Sequence, residues 1–314
     1  MIQSMDENRE RITLLVPAYN EEKSIGKCIK SIDGQILSEK LKVLVIPNGC
    51  SDRTTEIVKR EISLAKNKLI SWEVIELSEG NKVRAINEGV RKAETEFVAT
   101  MDSDSWIRPE LISMTIKKMS EEPKLMILGA IYEPDFSKSI KGSLLEQFQK
   151  ILYYNLLVST FRIPIGRFMA FRKNSIPEIP QTIAEDTWLA LETIKKYGNE
   201  SVRVDNDLVV HYQPTLNWVD FIRQETRFVR ATEVMFDRYP ELKKIYEETN
   251  MKLKKPFEAR MNEISELMKK DEIPQERLLQ ARNLLIPLLK ENAAMVKDQP
   301  IMSDGRWEVI DSTK

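Results

Sequence analysis

Apolar positions along this chain fall into two alternating patterns. Short, nearly continuous runs at residues 11–16, 42–46, 73–77 and 97–101 suit strands buried on both faces. Between them the apolar residues recur at helical spacing: Ile25, Cys28, Ile29 and Ile32, then Ile57, Val58 and Ile62, then Val83, Ile86, Val90 and Ala93. Strand and helix alternating on short connections predict a parallel α/β sheet with right-handed crossovers. The polar tips of the strands then lie on one edge, so Asn20, Asp52 and Asp104 are expected to face one crevice.

The regular alternation continues through a helix with Leu111, Ile112, Ile116 and Met119 and a strand at 125–130, and then stops. A largely apolar helix follows at 144–158, then a loop running into a strand at 165–172. Glu185-Asp186 opens a helix over 187–197, and a last strand at 202–210 ends at His211. Residues 217–236 read as helix. Beyond Pro240 the chain becomes rich in Lys and Glu, with two or three helices over 241–297, one kinked at Pro287, and a possible strand at 307–310. The expected division is residues 1–215 as the α/β domain and 216–314 as a mainly helical extension packed on it.

Composition narrows the function. With 42% hydrophobic residues in 314, the chain can bury a substantial core. Its 48 Lys and Arg against 49 Asp and Glu give no global pull toward nucleic acid or anionic lipid. Cys28 and Cys50 alone make no disulfide framework and suit a reducing, cytoplasmic compartment. One histidine, His211, leaves too few ligands for a His/Cys zinc site. No signal-peptide core or spanning-length apolar run occurs, so a soluble protein is expected, with peripheral membrane association open.

The candidate chemistry sits at the strand ends. Asp102-Ser103-Asp104 closes the fourth strand with two carboxylates one residue apart, a pattern that suits a hard divalent cation completing its shell with water and phosphate, or simply an Asp/Ser turn. Glu21 and Glu22 read equally as helix-dipole complements, Asp52 as an N-cap, and Glu185 and Asp186 as a capped helix start. Gln224 and Arg227 share one helical face, which could clamp a diphosphate or be solvated along with Arg223 and Arg230.

Taken in order, Val16-Pro17-Ala18-Tyr19-Asn20-Glu21-Glu22, Asn48-Gly49-Cys50-Ser51-Asp52-Arg53-Thr54, Lys82 to Gly89, Asp102-Ser103-Asp104, Ala184-Glu185-Asp186 and Gln224-Glu225-Thr226-Arg227-Phe228 resemble glycosyltransferase family 2. That resemblance implies a GT-A fold (Rossmann-like, mixed and mostly parallel), a nucleotide-sugar donor, Mn²⁺ or Mg²⁺, and inversion at the anomeric carbon. It implies donor contacts from Pro17, Ala18, Tyr19, Glu21, Asn48, Asp52, Lys82, Asp102, Ser103, Gln224 and Arg227. It further implies Asp104, with His211, on the metal and Asp186 as the general base. Pro47-Asn48 stands where the family usually has an acidic pair, and Phe228 replaces the usual Trp.

The expected activity is therefore transfer of a single sugar, of hexosyltransferase type, from a UDP-sugar to an acceptor hydroxyl. The acceptor class stays open among glycan, lipid, protein, small molecule and nucleic acid. Arg162, Arg167, Arg172 and Lys173 make a phosphate-bearing one worth testing. Two rivals remain: a metal-dependent nucleotidyltransferase, which would be expected to carry a Gly-rich loop at the first strand end, and a non-catalytic nucleotide-sugar-binding module.

Overall fold

The computed structural model describes residues 10–159, 163–182, 184–253 and 255–281, with Asn283 and Pro287. Its first half follows the alternation in the sequence. Strands β1 (Glu10–Ala18), β2 (Lys40–Pro47), β3 (Ile70–Val74) and β4 (Phe97–Met101) alternate with helices α1 (Ile25–Asp33), α2 (Thr54–Ser63) and α3 (Lys82–Lys92). Next come β5 (Ser105–Ile107), α4 (Leu111–Glu121), β6 (Ile127–Pro134), α5 (Leu144–Val158), β7 (Phe168–Arg172), α6 (Glu185–Tyr197) and β8 (Val202–Tyr212). Helices α7 (Trp218–Arg238), α8 (Pro240–Leu253), α9 (Phe257–Lys270) and α10 (Glu276–Gln280) complete the described elements.

Eight strands form one sheet in the order β3-β2-β1-β4-β7-β6-β8-β5. The first four are mutually parallel, and β6 pairs parallel with β8. Strand β7 runs antiparallel between β4 and β6, and β5 antiparallel to β8. The sheet is thus mixed and mostly parallel, as expected. The pure parallel reading fails after β4, where successive elements are no longer spatial neighbours. The three-residue β5 is too short to leave a periodic signal. The third strand begins at Ile70, earlier than its apolar run, because Leu41 to Val45 offer pairing partners from that point. The apolar tail of the run continues irregularly, with Leu77 N–H donating to the Pro47 carbonyl at 2.9 Å.

Alternate residues of the central strands enter opposite cores, as the two-residue period of a strand requires. Leu14, Val16, Phe97 and Ala99 join Ile25, Ile29 and Ile112 on one face. Leu15, Val98 and Phe171 meet Val83, Ile86, Leu189 and Leu191 on the other, where Ala231, Met235 and Leu242 of α7 and α8 also pack. A third cluster joins Phe148 and Ile151 of α5 to Phe221 of α7 and to Ile264 and Met268 of α9. Helix α7 therefore spans two cores, and its first turns share a cavity wall with the carboxyl ends of β6 and β8. The residues around Pro287, where a kink was expected, and the strand expected at 307–310 lie outside the described residues, apart from Asn283 and Pro287 themselves.

Candidate active site

The crevice at the ends of β1 and β2 is fixed by side chains that tie one turn to the next. Asn20 takes a left-handed backbone, φ 53°, and its Oδ1 accepts from Ser51 N–H at 2.8 Å. The Thr54 hydroxyl accepts from Glu21 N–H and donates to Asp52 Oδ1, both at 2.6 Å. Asp52 Oδ2 accepts from Glu22 N–H at 3.1 Å. Pro17, Ala18, Tyr19, Glu21 and Asp52 are therefore gathered in one place, with Asp52 bonded both to its own turn and to the opening of α1. Gly49 lies in the left-handed region, φ 61°, with Gly80 N only 2.3 Å from where a Cβ would sit, so no side chain fits there.

Asn48 has a structural job. At 2% exposure, its amide donates to the carbonyls of Ala18 (2.9 Å) and Ile46 (3.1 Å) and accepts from Asn81 N–H (3.0 Å). These bonds clamp β1, β2 and the N-cap of α3 together, so its side chain is spent on the scaffold rather than offered to a donor. That explains why a buried amide, and not a second acid, follows Pro47: an unpaired carboxylate there would be costly to desolvate.

The β4 end is an ion cluster. Lys82 Nζ lies 2.8 Å from both Asp102 Oδ1 and Glu185 Oε1. Burial opposes charge on Lys82, but the carboxylates of Asp102, Glu185 and Asp186 outweigh it and raise its pKa. Burial likewise works against the Asp102 carboxylate, yet Lys82 and Arg167 hold its pKa below the usual range. Asp104 lies 3.6 Å from Arg167 Nη1, and Ser105 Oγ donates to it at 3.2 Å. Ser103, between the two acids, is buried.

A loop entering β7 joins this cluster to Asp186. Gly166 N–H donates to Asp186 Oδ2 at 2.9 Å, while the next residue, Arg167, faces Asp104. Carboxylates far apart in sequence are thereby held by adjacent residues. A Cβ on Gly166 would sit 2.6 Å from Lys82 Nζ and 3.3 Å from Asp102 Oδ1, so a side chain there would press on the Lys82–Asp102 pair. Burial, reinforced by Glu185, pushes the Asp186 carboxyl up to about 6 against the pull of Lys82 and the N–H groups of Gly166 and Thr187. A carboxylate with its pKa near the working pH is suited to proton transfer.

Asp104 can hold a hard cation. Its side chain is 25% exposed, and such an ion needs only one or two carboxylates when diphosphate oxygens and water supply the rest. Among the described residues no three His, Cys, Asp or Glu side chains come together as a ready-made metal cage. His211 sits across the β5–β8 pair from Trp106, with whose ring it stacks at 6.1 Å. Its Nδ1 is 3.5 Å from Glu133, and Arg108 Nε donates to its Nε2 at 3.4 Å. Burial lowers its pKa, which favours the neutral, ligating imidazole.

The basic residues expected to mark a phosphate-bearing acceptor are not gathered. Arg172 donates to the carbonyls of Leu125, Met119 and Glu122 and pairs with Glu96. Lys173 donates to the Ala93 carbonyl, and Arg162 lies outside the described residues. Arg167 is buried, with its guanidinium 3.7 Å from the centre of the Tyr212 ring. It acts inside the site, on Asp104. Sequence reasoning placed Arg167 in the wrong group and passed over Gly166 and Tyr212. A glycine and arginine directly before a buried strand was the available signal, with nothing to say where the loop docks. Gln224 and the neighbouring Glu225 and Phe228 line a cavity next to Arg167. Arg227 shares this region: its charge acts on both Asp102 and Glu225.

A mixed sheet with carboxylates gathered at its strand ends places this chain among the α/β proteins whose site lies at the carboxyl edge of the sheet. The family model described as Glycosyl transferase family 2 matches residues 13–179, and the chain belongs to that family. It is 26% identical over 188 residues to poly-beta-1,6-N-acetyl-D-glucosamine synthase of Staphylococcus epidermidis, covering 57% of this chain and 43% of that protein. It is also 26% identical over 139 residues to the putative glycosyltransferase EpsH of Bacillus subtilis, covering 44% and 39%. The chain thus spans less than half the length of these curated relatives. Among solved structures, the mannosyltransferase PcManGT from Pyrobaculum calidifontis, in complex with GDP-Man and Mn²⁺, superposes with a TM-score of 0.63 at 17% identity, over 94% of this chain and 90% of that one. Glucosyl-3-phosphoglycerate synthase from Mycobacterium tuberculosis gives 0.52 at 17% identity, over 73% and 80%. At these identities the likeness is one of fold, and the fold is GT-A.

Proposed function

We propose that this protein is an inverting glycosyltransferase that moves one sugar from a UDP-sugar to an acceptor hydroxyl with the help of Mn²⁺ or Mg²⁺. The observation that carries this reading is the single loop that holds Asp104 and Asp186 through adjacent residues, so that a cation site and a base flank one space. Residues 1–215 form the GT-A domain in this reading, and residues 216–314 a mainly helical extension on it. No described helix is long and apolar enough to cross a membrane. The related folds with bound GDP-Man and Mn²⁺, or with UDP-Glc and Mn²⁺, support a metal and a nucleotide sugar.

In this reading the β1 and β2 turns, with Tyr19, Glu21 and Asp52, receive the base and ribose, and Asp52 is kept in place by Thr54 and the start of α1. Lys82, held between Asp102 and Glu185, places a positive charge beside the diphosphate. Asp104 would hold the divalent cation, which supplies Lewis-acid stabilisation of the charge on the leaving diphosphate when bound. His211 could join only by leaving Glu133 and Arg108. Asp186 Oδ1 or Oδ2 takes the proton from the acceptor hydroxyl as its oxygen attacks the anomeric carbon opposite the leaving group. Gly166 and Thr187 N–H groups orient that carboxylate.

The test is incubation with a panel of UDP- and GDP-sugars and Mn²⁺, measuring nucleoside diphosphate release. Release from a UDP-sugar that stops on chelation supports the proposal. Pyrophosphate released from a nucleoside triphosphate would instead indicate a nucleotidyltransferase, and binding without turnover a non-catalytic module.

A further inference from the structure

Arg167 stands where two demands on this site meet. Among the described residues it is the cation within ion-pair distance of Asp104, the same carboxylate that is placed to hold a metal ion. Its side chain is only 8% exposed, and its guanidinium carbon lies over the Tyr212 ring, 3.7 Å from the centre. Burial works against its charge, yet Asp104, then Tyr212 and Asp102, hold its pKa up. An arginine does not shed its proton in a protein, so it makes no room for a second cation by becoming neutral. A divalent ion on Asp104 with Arg167 in place would set two positive centres against one carboxylate, where water screens little.

Of the cations around this carboxylate cluster, Lys82 is firmly held and Arg167 is not. Lys82 Nζ lies 2.8 Å from both Asp102 and Glu185. Arg167 reaches Asp104 and the Ser105 hydroxyl through Nη1, at 3.6 and 3.4 Å, both long for a charge-assisted bond. Arg227 acts on Asp102 and Glu225 from α7. Arg167 also lines the cavity of about 410 Å³ between α5, the first turns of α7 and the ends of β6 and β8, so its fork has room to turn. The cation–π contact with Tyr212 holds the group in the site without binding that fork to one acceptor.

We propose that Arg167 is a built-in competitor for the metal ion: it holds Asp104 while the site is empty, and gives it up to pair with the donor's diphosphate when cation and nucleotide arrive together. Resting on the donor reading above, this role couples the two ligands. A cation arriving alone displaces Arg167 from Asp104 and leaves it, buried and charged, with no anion in exchange. A cation arriving with a diphosphate brings phosphate oxygens, which the planar fork can grip in pairs. Each ligand then strengthens the other by one common factor. Asp104 thus stays paired in the empty site and opens to a divalent ion when a nucleotide is present.

The experiment uses the whole chain, freed of metal by chelation and desalting. Mn²⁺ binding is followed by the EPR signal of free Mn²⁺, without nucleotide and with saturating UDP, after subtracting Mn²⁺ bound by UDP alone. In wild type, UDP is expected to tighten Mn²⁺ binding by about 10²-fold. Arg167→Met, neutral and of similar reach, should bind Mn²⁺ alone about tenfold tighter than wild type, and UDP should then add about tenfold or less. Arg167→Lys keeps a positive charge and should bind Mn²⁺ alone as weakly as wild type. A residue that merely propped up the site would give the opposite sign. Unchanged or weaker binding of Mn²⁺ alone in an Arg167→Met protein that melts cooperatively overturns the proposal, with Arg167→Gln taking its place if Arg167→Met does not fold. Wild type that binds Mn²⁺ equally with and without UDP overturns it as well. Wild type that binds no Mn²⁺ even with UDP overturns the metal reading along with it, so the two failures are told apart.

Discussion

The two sides of the site are built differently. On the side formed by β1 to β4, nearly every polar group is tied down locally: Asn20 to Ser51, Asp52 to Thr54 and Glu22, Asn48 to Ala18 and Asn81. On the side formed by β6, β8, α5 and α7, the lining groups come from distant segments, and Gln149 Oε1 is buried with no hydrogen-bond partner among the described residues. The contrast separates two tasks. In the proposed reading the locally tied side is the one that receives the nucleotide, since a fixed ligand calls for a preorganised cradle. The 165–167 loop is the hinge between the two sides, since one of its residues serves Asp186 and the next serves Asp104.

The largest effect is expected at the base. Asp186→Asn should lower sugar transfer by about 10²- to 10⁴-fold while donor affinity stays within about twofold, measured by turnover beside calorimetric titration of the nucleotide. A variant with full turnover would remove Asp186 from the chemistry. Next comes the hinge. Gly166→Ala sets a methyl group against Lys82 Nζ, and shifting Lys82 or the loop should lower kcat, by up to about 10²-fold where the loop moves. If the variant behaves as wild type, the two sides are not coupled through this loop.

The cation sharpens the comparison further. Asp104→Asn should abolish Mn²⁺-dependent stimulation, whereas His211→Ala should weaken Mn²⁺ affinity by about tenfold at most, because the imidazole is engaged by Glu133 and Arg108. Equal losses in both variants would place His211 directly on the metal. The smallest effect concerns pH. Asp186 works as a base only when ionised, so kcat/KM should rise with pH through about 6 and then level off. Its folded pKa lies above its unfolded value, so the native state binds the extra proton between the two. The stability this contributes is full below about pH 4 and is lost as pH rises through about 6. Thermal melts of wild type and Asp186→Asn should therefore diverge over that window, with wild type losing ground as pH increases. Parallel melts would show that the carboxyl is not held protonated by burial.

Much of the first side was legible in the amino-acid order. The runs at 11–16, 42–46 and 97–101 became β1, β2 and β4, and their polar ends met in one crevice as the parallel alternation required. The role of Asn48 was not legible, since nothing in Pro47-Asn48-Gly49 says that the amide faces inward to three backbone partners. The second side was harder. Once β7 inserts between β4 and β6, chain order no longer predicts neighbours. Arg172 and Lys173, grouped with Arg167 by sequence, turned out to cap backbone carbonyls instead.

The sequence by itself determined the alternation of strand and helix, the edge on which the chemistry gathers, and the residue types available for metal, base and diphosphate. These follow from periodicity and local turn chemistry, which act over a few residues. Only the tertiary structure decided that Gly166 and Arg167 bridge Asp186 to Asp104, that Lys82 is shared by Asp102 and Glu185, and that Glu225 is left facing a cavity. Those pairings depend on which distant segments become adjacent when the sheet reorders, and no local pattern encodes the distance between them.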